Sequence, residues 1–192
     1  MVGQALYGAD AFDWVSHLPY PRKLSNWLTE RMKLSYEKSR PAYPPSLFKN
    51  LLEYRRAHGS SNDTVLDLGC GSGICTPLLL NCGFSKIICS DVNGRQLKIA
   101  ESRFSNHPKI ASGKIQLIYR QSSAEQLDWI EDRSLDLVIA AEAAHFFDHS
   151  RWFSEVARVL KPGGTLAFWN YGTPSATCKV IANRSLLQPR MR

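Results

Sequence analysis

Residues 65–73, Val-Leu-Asp-Leu-Gly-Cys-Gly-Ser-Gly, constrain this chain more than any other stretch. An apolar run ending in an acid leads straight into a loop with glycine at every second position: Gly69, Gly71 and Gly73. Alternating glycines suit a backbone that must turn sharply and lie against a ligand with no Cβ in the way. A second apolar run, Ile87-Ile88-Cys89, closes on Asp91, eighteen residues after Gly73. Strand, glycine loop, and an acid at the end of the next strand describe a nucleotide-type site in which that acid accepts ribose hydroxyls.

The rest of the chain alternates strand and helix signals. Strands are expected at 64–68, 86–90, 115–119, 135–140 and 165–170, each an apolar or β-branched run. Leu135–Ala140 is apolar almost throughout, as a strand covered on both faces should be. Helices are expected from Ser46 as N-cap, over about 74–82, from Asn93 through Phe104, and over 151–160. Pro162-Gly163-Gly164 should turn the chain into the fifth strand. This alternation predicts an α/β fold: a doubly wound parallel sheet in the order 3-2-1-4-5, with its ligand crevice at the switch point beyond strands one and four.

Charge argues about partners only through its distribution. The net charge is +7, but residues 61–170 carry 11 Lys/Arg against 12 Asp/Glu, so the excess lies in the flanks. A basic flank on a balanced body does not read as a nucleic-acid surface, and no nucleic-acid partner is expected. Five cysteines without a CxxC pair exclude a disulfide framework and a zinc site, and no metal is expected. Cys70 and Cys75 read as small apolar fillers around the loop. With neither a secretory leader nor an apolar run of membrane length, the expected location is cytoplasmic, with no membrane partner.

Asp67-Leu68-Gly69-Cys70-Gly71-Ser72-Gly73, Asp91 and Leu160-Lys161-Pro162-Gly163-Gly164 resemble the cofactor-side motifs of class I S-adenosylmethionine-dependent methyltransferases, a Rossmann-like fold. Residues 36–44 (Tyr-Glu-Lys-Ser-Arg-Pro-Ala-Tyr-Pro) and 144–148 (Ala-His-Phe-Phe-Asp) resemble the small-molecule branch that contains trans-aconitate methyltransferase. The resemblance covers roughly residues 35–172. It implies S-adenosylmethionine as cofactor, held by Asp67, Gly69, Cys70, Gly71, Gly73, Asp91, Ser123 and Ala124, and a small-molecule substrate, with a carboxylate oxygen as the acceptor it favours. It also implies that Tyr36, Arg40, Glu142 and His145 line or cover the substrate side.

Several roles stay open at this level. Asp67 either touches the cofactor or braces the loop through backbone amides. His145 is either a base or, the preferred reading, a positioning group. Ser123 stands where the family often has an aspartate facing adenine, and Trp129 either walls the adenine or packs a helix. Arg40 pairs either with a ligand carboxylate or with a surface acid. A nicotinamide dehydrogenase shares the glycine-rich turn but needs a third glycine where Ile74 stands. The expected organisation is an extension over 1–34, a cofactor-binding domain over 35–172, and a basic tail over 173–192. That tail has one short apolar patch, Val180-Ile181-Ala182. It is expected to be too short for the family's terminal pair of antiparallel strands, leaving strand five with an open edge that promotes association. The competing function is a truncated, catalytically impaired cofactor-binding or partner module.

Overall fold

The computed structural model describes residues 43–57, 61 and 63–170, together with the backbone of 177–182. Tyr36, Arg40 and the expected extension over 1–34 lie outside the described residues. The chain enters through α1 (Pro45–Ala57), β1 (Thr64–Leu68), α2 (Thr76–Leu79), β2 (Lys86–Asp91) and α3 (Gly94–Phe104). It continues through α4 (Pro108–Ala111), β3 (Gln116–Gln121), β4 (Leu135–Ala141), α5 (His149–Val159), β5 (Leu160–Asn170) and β6 (Thr177–Ala182).

These strands form one sheet in the order β3-β2-β1-β4-β5-β6. The first five run parallel, as expected from the strand–helix alternation. Period-two alternation sorts each strand's side chains between two faces. Val65, Ile87, Leu137, Ile139, Ala167 and Trp169 join Phe48, Leu51, Leu79, Leu97 and Phe104 of α1–α3. Leu66, Leu68, Ile88, Val138, Ala140, Leu166 and Phe168 join Trp152, Val156 and Val159 of α5. The sheet is therefore a middle layer covered on both sides.

β6 corrects the expectation of an open strand-five edge. It runs antiparallel to β5, in register from Thr165–Ala182 to Asn170–Thr177. Six residues with one apolar patch suffice because an antiparallel neighbour needs only a short return, whereas a parallel one needs a long crossover.

Local bounds differ where turn chemistry competes with periodicity. α2 covers only four residues rather than 74–82, because Asn81 and Cys82 bond back three residues instead of four and tighten its exit. α1 begins at Pro45, one residue before the expected cap Ser46, since proline suits the first helical position. β5 begins at Leu160 and runs through Pro162-Gly163-Gly164, with a register shift in β4 between Leu135 and Leu137 absorbing the irregularity.

The end of the sheet opposite the crevice is tied by ions. Asp136 is nearly fully buried, and Lys161 Nζ donates to both its oxygens at 3.0 and 2.9 Å. Ser61 Oγ and Thr64 N–H donate to the same carboxylate, the latter at 2.9 Å. Burial pushes its pKa up, but these bonds outweigh burial and hold it below the usual carboxylate range. Arg55, in the last turn of α1, is buried, its guanidinium over the Phe84 ring at 5.3 Å and donating to the Ser61 carbonyl.

Candidate functional site

Parallel strands place all their C-terminal ends at one edge, so the loops after β1, β2, β3 and β4 meet there. Asp67, Asp91, Ser123 and Glu142, far apart in sequence, come from those four strand ends.

The glycine loop leaves β1 with its first two amides already used. Gly69 N–H and Cys70 N–H both donate to the Ser90 carbonyl of β2, at 2.8 and 3.0 Å. Gly69, Gly71 and Gly73 have φ of +68°, +55° and +82°, a region that side chains disfavour. The three glycines do different work. A Cβ on Gly69 would sit 2.5 Å from the Ala143 Cβ, and one on Gly73 would sit 2.8 Å from the Phe104 ring. A Cβ on Gly71 would meet nothing within 4 Å. Gly69 and Gly73 are glycine for packing; Gly71 faces open space.

The two acids divide the labour differently from the sequence expectation. Asp91 braces the loop: its Oδ2 accepts from Gly71 N–H at 2.9 Å and its Oδ1 from Asn93 N–H at 2.8 Å. Asp67 makes no such bonds. It is 1% exposed, and both carboxyl oxygens are buried without a hydrogen-bond partner. Burial, and then the neighbouring Asp91 charge, pushes its pKa up to about 8. Cys70 is buried, as a filler should be, and its thiol pKa is raised by a hydrogen bond with Cys89 and then by burial.

On the β3 side, Ala124 is buried in the core and Ser123 is half-buried, its carbonyl accepting from Ser122 Oγ at 3.2 Å. Trp129 is half-buried; its Nε1–H donates to Ser122 Oγ at 3.0 Å, and the Arg120 guanidinium lies 5.5 Å from its ring centre. This ties Trp129 to the loop itself. Arg158 of α5 pins the same loop by donating to the Leu127 and Ile130 carbonyls at 2.7 and 2.9 Å. Glu155 accepts from Leu127 N–H at 2.7 Å and pairs with Arg158 at 2.9 Å.

After β4, Glu142 adopts φ +55°, one of two non-glycine residues with positive φ among those described. Such strain persists only where the surroundings enforce it. Here Glu142 N–H donates to the Trp169 carbonyl at 2.9 Å, which fixes the turn. A single 3₁₀ turn, Ala144–Phe146, then holds His145 half-buried, its ring centre 4.1 Å from that of Phe146.

Sequence reading gave no role to His149, Glu125 or Val92, and Phe146 entered it only as part of the 144–148 motif. His149 bonds through Nε2 to the Ala144 carbonyl at 2.9 Å and so holds the turn that carries His145. Glu125 Oε1 accepts from Asp148 N–H at 2.8 Å and links the β3 and β4 loops. Val92 and Phe146 are 63% and 59% exposed, large apolar side chains left uncovered at this edge. Val92 follows Asp91 directly, and that adjacency was its only available signal.

The profile for methyltransferase domains matches residues 66–168. Methyltransferase AacuQ of Aspergillus aculeatus is 35% identical over 138 residues, covering 72% of this chain and 42% of that protein. A Saccharomyces cerevisiae protein assigned as an S-adenosylmethionine-dependent methyltransferase is 34% identical over 139 residues, covering 72% and 45%. Among solved structures, a protein assigned as a type II methyltransferase from Anaeromyxobacter dehalogenans superposes with a TM-score of 0.55 at 32% identity. That match covers 69% of this chain and 49% of the other. The chain thus spans less than half the length of these relatives. Because the profile match includes both acids and the whole glycine loop, fold and motif are accounted for together: the chain belongs to the methyltransferase-domain family, as a class I S-adenosylmethionine-dependent member.

Proposed function

We propose that this chain forms the cofactor-holding part of a methyltransferase acting on a small molecule. The observation that carries the reading is the open ground at Gly71, bordered by a carboxylate that already holds the loop. S-adenosylmethionine fits this cradle on three counts. Backbone can approach a ligand at Gly71 without a Cβ intervening. A carboxylate offers about four acceptor sites, and Asp91 uses two on amides, which leaves capacity for ribose hydroxyls. Asp67, at the end of β1, keeps two unpartnered oxygens, and the buried Ser72 hydroxyl within the loop is unpartnered as well.

When bound, the cofactor supplies a methyl group on a sulfonium, an activated carbon with a very good leaving group. The protein's work is then mainly alignment and exclusion of water. In this reading Gly69, Cys70, Gly71 and Gly73 form the floor, Asp91 holds ribose, and Ser123, Ala124 and the exposed Val92 border the base. Glu142 and His145 stand on the acceptor side, with His145 as a positioning group, and Tyr36 and Arg40 complete that side. The resemblance at 144–148 favours a carboxylate oxygen as acceptor, for which no base is needed. The free cysteines among the described residues suit a reducing compartment, and we extend the proposal to a cytoplasmic location.

The test is calorimetric titration with S-adenosylmethionine, beside an Asp91→Ala variant checked for folding. Saturable binding that weakens at least tenfold in the variant is expected. Carboxylic acids, phenols and amines are then screened for methyl acceptance. No binding by a folded, monodisperse protein overturns the reading.

A further inference from the structure

The Asp67 carboxyl is not used by the loop it precedes. It lies two residues before Gly69, fully enclosed, with neither oxygen hydrogen-bonded. Across β2 its register partner is Cys89, and across β4 it is Ile139. From the end of β2 it faces the carboxylate of Asp91, and from the loop it faces the Cys70 thiol. Among the described residues, no lysine, arginine or histidine forms an ion pair with it.

A carboxylate in such a place is unstable as an anion: it has lost water, gained no donor, and stands beside a second acid. The usual outcome is that the group takes up a proton. We infer that Asp67 is a protonated acid in the ligand-free protein and gives up its proton when a cationic ligand group enters the crevice, so that cofactor binding is coupled to proton release. The inference rests on the methyltransferase reading for the identity of the ligand, and on the enclosure of Asp67 for the proton.

The balance is simple. The O–H bond of the Asp67 carboxyl breaks, its proton passes to the buffer, and the carboxylate left behind is neutralised electrostatically by the ligand's positive charge. No covalent bond to the ligand forms. The direction of the shift agrees, since burial and Asp91 both raise the Asp67 pKa, to about 8. Asp91 does not compete for this role, because Gly71 N–H and Asn93 N–H already donate to its two oxygens. Asp67 would thus act as a specificity-determining group that reports the charge of the ligand. A nucleoside thioether without a cationic centre gains nothing from it.

Two measurements test this. Carbon-13 NMR of the aspartate carboxyls follows titration in the ligand-free protein, with Asp67→Asn used only to assign the signal. The expected midpoint for Asp67 lies well above the ordinary range of about 4. Calorimetry at pH 6.5 then uses two buffers of different ionisation enthalpy. The probes are S-adenosylhomocysteine, which carries an ammonium group, and 5′-methylthioadenosine, which does not. Release approaching ~1 proton per bound S-adenosylhomocysteine is expected, with none for methylthioadenosine and none in Asp67→Asn. An Asp67 midpoint near 4, or tight S-adenosylhomocysteine binding with no buffer dependence, overturns the inference. If neither nucleoside binds, the proposed function falls, and the carboxyl midpoint alone decides whether Asp67 is held as an acid.

Discussion

At the residue scale, the glycine loop separates packing from binding within five positions. Gly69→Ala drives a Cβ into Ala143 at 2.5 Å and also strains φ at +68°. A stability loss of roughly 1–3 kcal/mol is expected from the clash, with a further ~1 kcal/mol from the backbone. Gly71→Ala has only the backbone penalty of ~1 kcal/mol, because its Cβ enters open space. In exchange it should weaken S-adenosylmethionine binding by more than tenfold. Urea denaturation and calorimetry on both variants read the contrast; equal stability losses with equal binding losses would contradict it. Sequence alone marked all three glycines and could not rank them, because what a Cβ would meet comes from the segment after β4 and from α3.

Asp67 carries a second prediction, for stability against pH. Its folded pKa is raised above the unfolded value, so between about 4 and 8 the native state holds the extra proton. Stability of the ligand-free protein therefore falls as pH rises through that window. Asp67→Asn should flatten the slope, read as denaturation midpoints at pH 5 and pH 8. The spacing of Asp67 and Asp91 was legible in the sequence; which acid would brace the loop was not. Backbone amides decide it, and their direction depends on how β1 and β2 are paired.

At the scale of elements, α5 does more than cover one face of the sheet. Arg158 spends its guanidinium on Leu127, Ile130, Asp132 and Glu155, and its pKa is raised, chiefly by the hydrogen bond to Glu155. Arg158 and Glu155 together tie the loop after β3, which carries Ser123, to α5. Arg158→Lys keeps a charge but cannot reproduce the fork. Faster amide exchange over 124–132 is expected, with binding weakened several-fold and the fold retained; unchanged exchange would remove Arg158 from this role. Trp152, Val156 and Val159, the buried residues of this helix, recur at helical spacing, so their burial follows a repeat visible in the residues. That repeat said nothing of the role of Arg158, whose partners other than Glu155 lie 26 to 31 residues away.

The clamp at the far end of the sheet works on β1, β4 and β5 together. Lys161→Ala leaves Asp136 buried with its cation gone, which costs about 3 kcal/mol, the low end for a broken buried pair, because Lys161 is one-third exposed. Asp136 has a lowered folded pKa, so its contribution is present above about 4 and disappears as pH falls. Thermal unfolding at pH 7 measures the first effect, and the difference between the pair should narrow progressively as pH is lowered below the ordinary carboxylate range.

For the molecule as a whole, β6 decides whether the sheet ends in a paired strand or a bare one. Removing residues 177–182 and all that follows would strip β5 of its antiparallel partner along Thr165–Asn170. Concentration-dependent association in light scattering is the expected result, since an unpaired central-type strand is a template for another chain. A variant that stays monodisperse would show that something else covers β5. No helix among the described residues is long and apolar enough to cross a membrane.

What the residues determined unaided was local or periodic: strand positions, the glycine loop and its acid, the sheet order, and through them the family. Apolar alternation and glycine spacing are properties of neighbouring positions, so they survive in one dimension. What only the tertiary structure decided was pairwise across the chain. It made Asp91 the brace and Asp67 the orphan, left Gly71 open where Gly69 is packed, tied His149 to Ala144 beneath His145, and gave β5 its partner in β6. A short apolar patch is no strand until an edge is there to receive it, and an unpartnered acid is recognised only once every neighbour has taken its place.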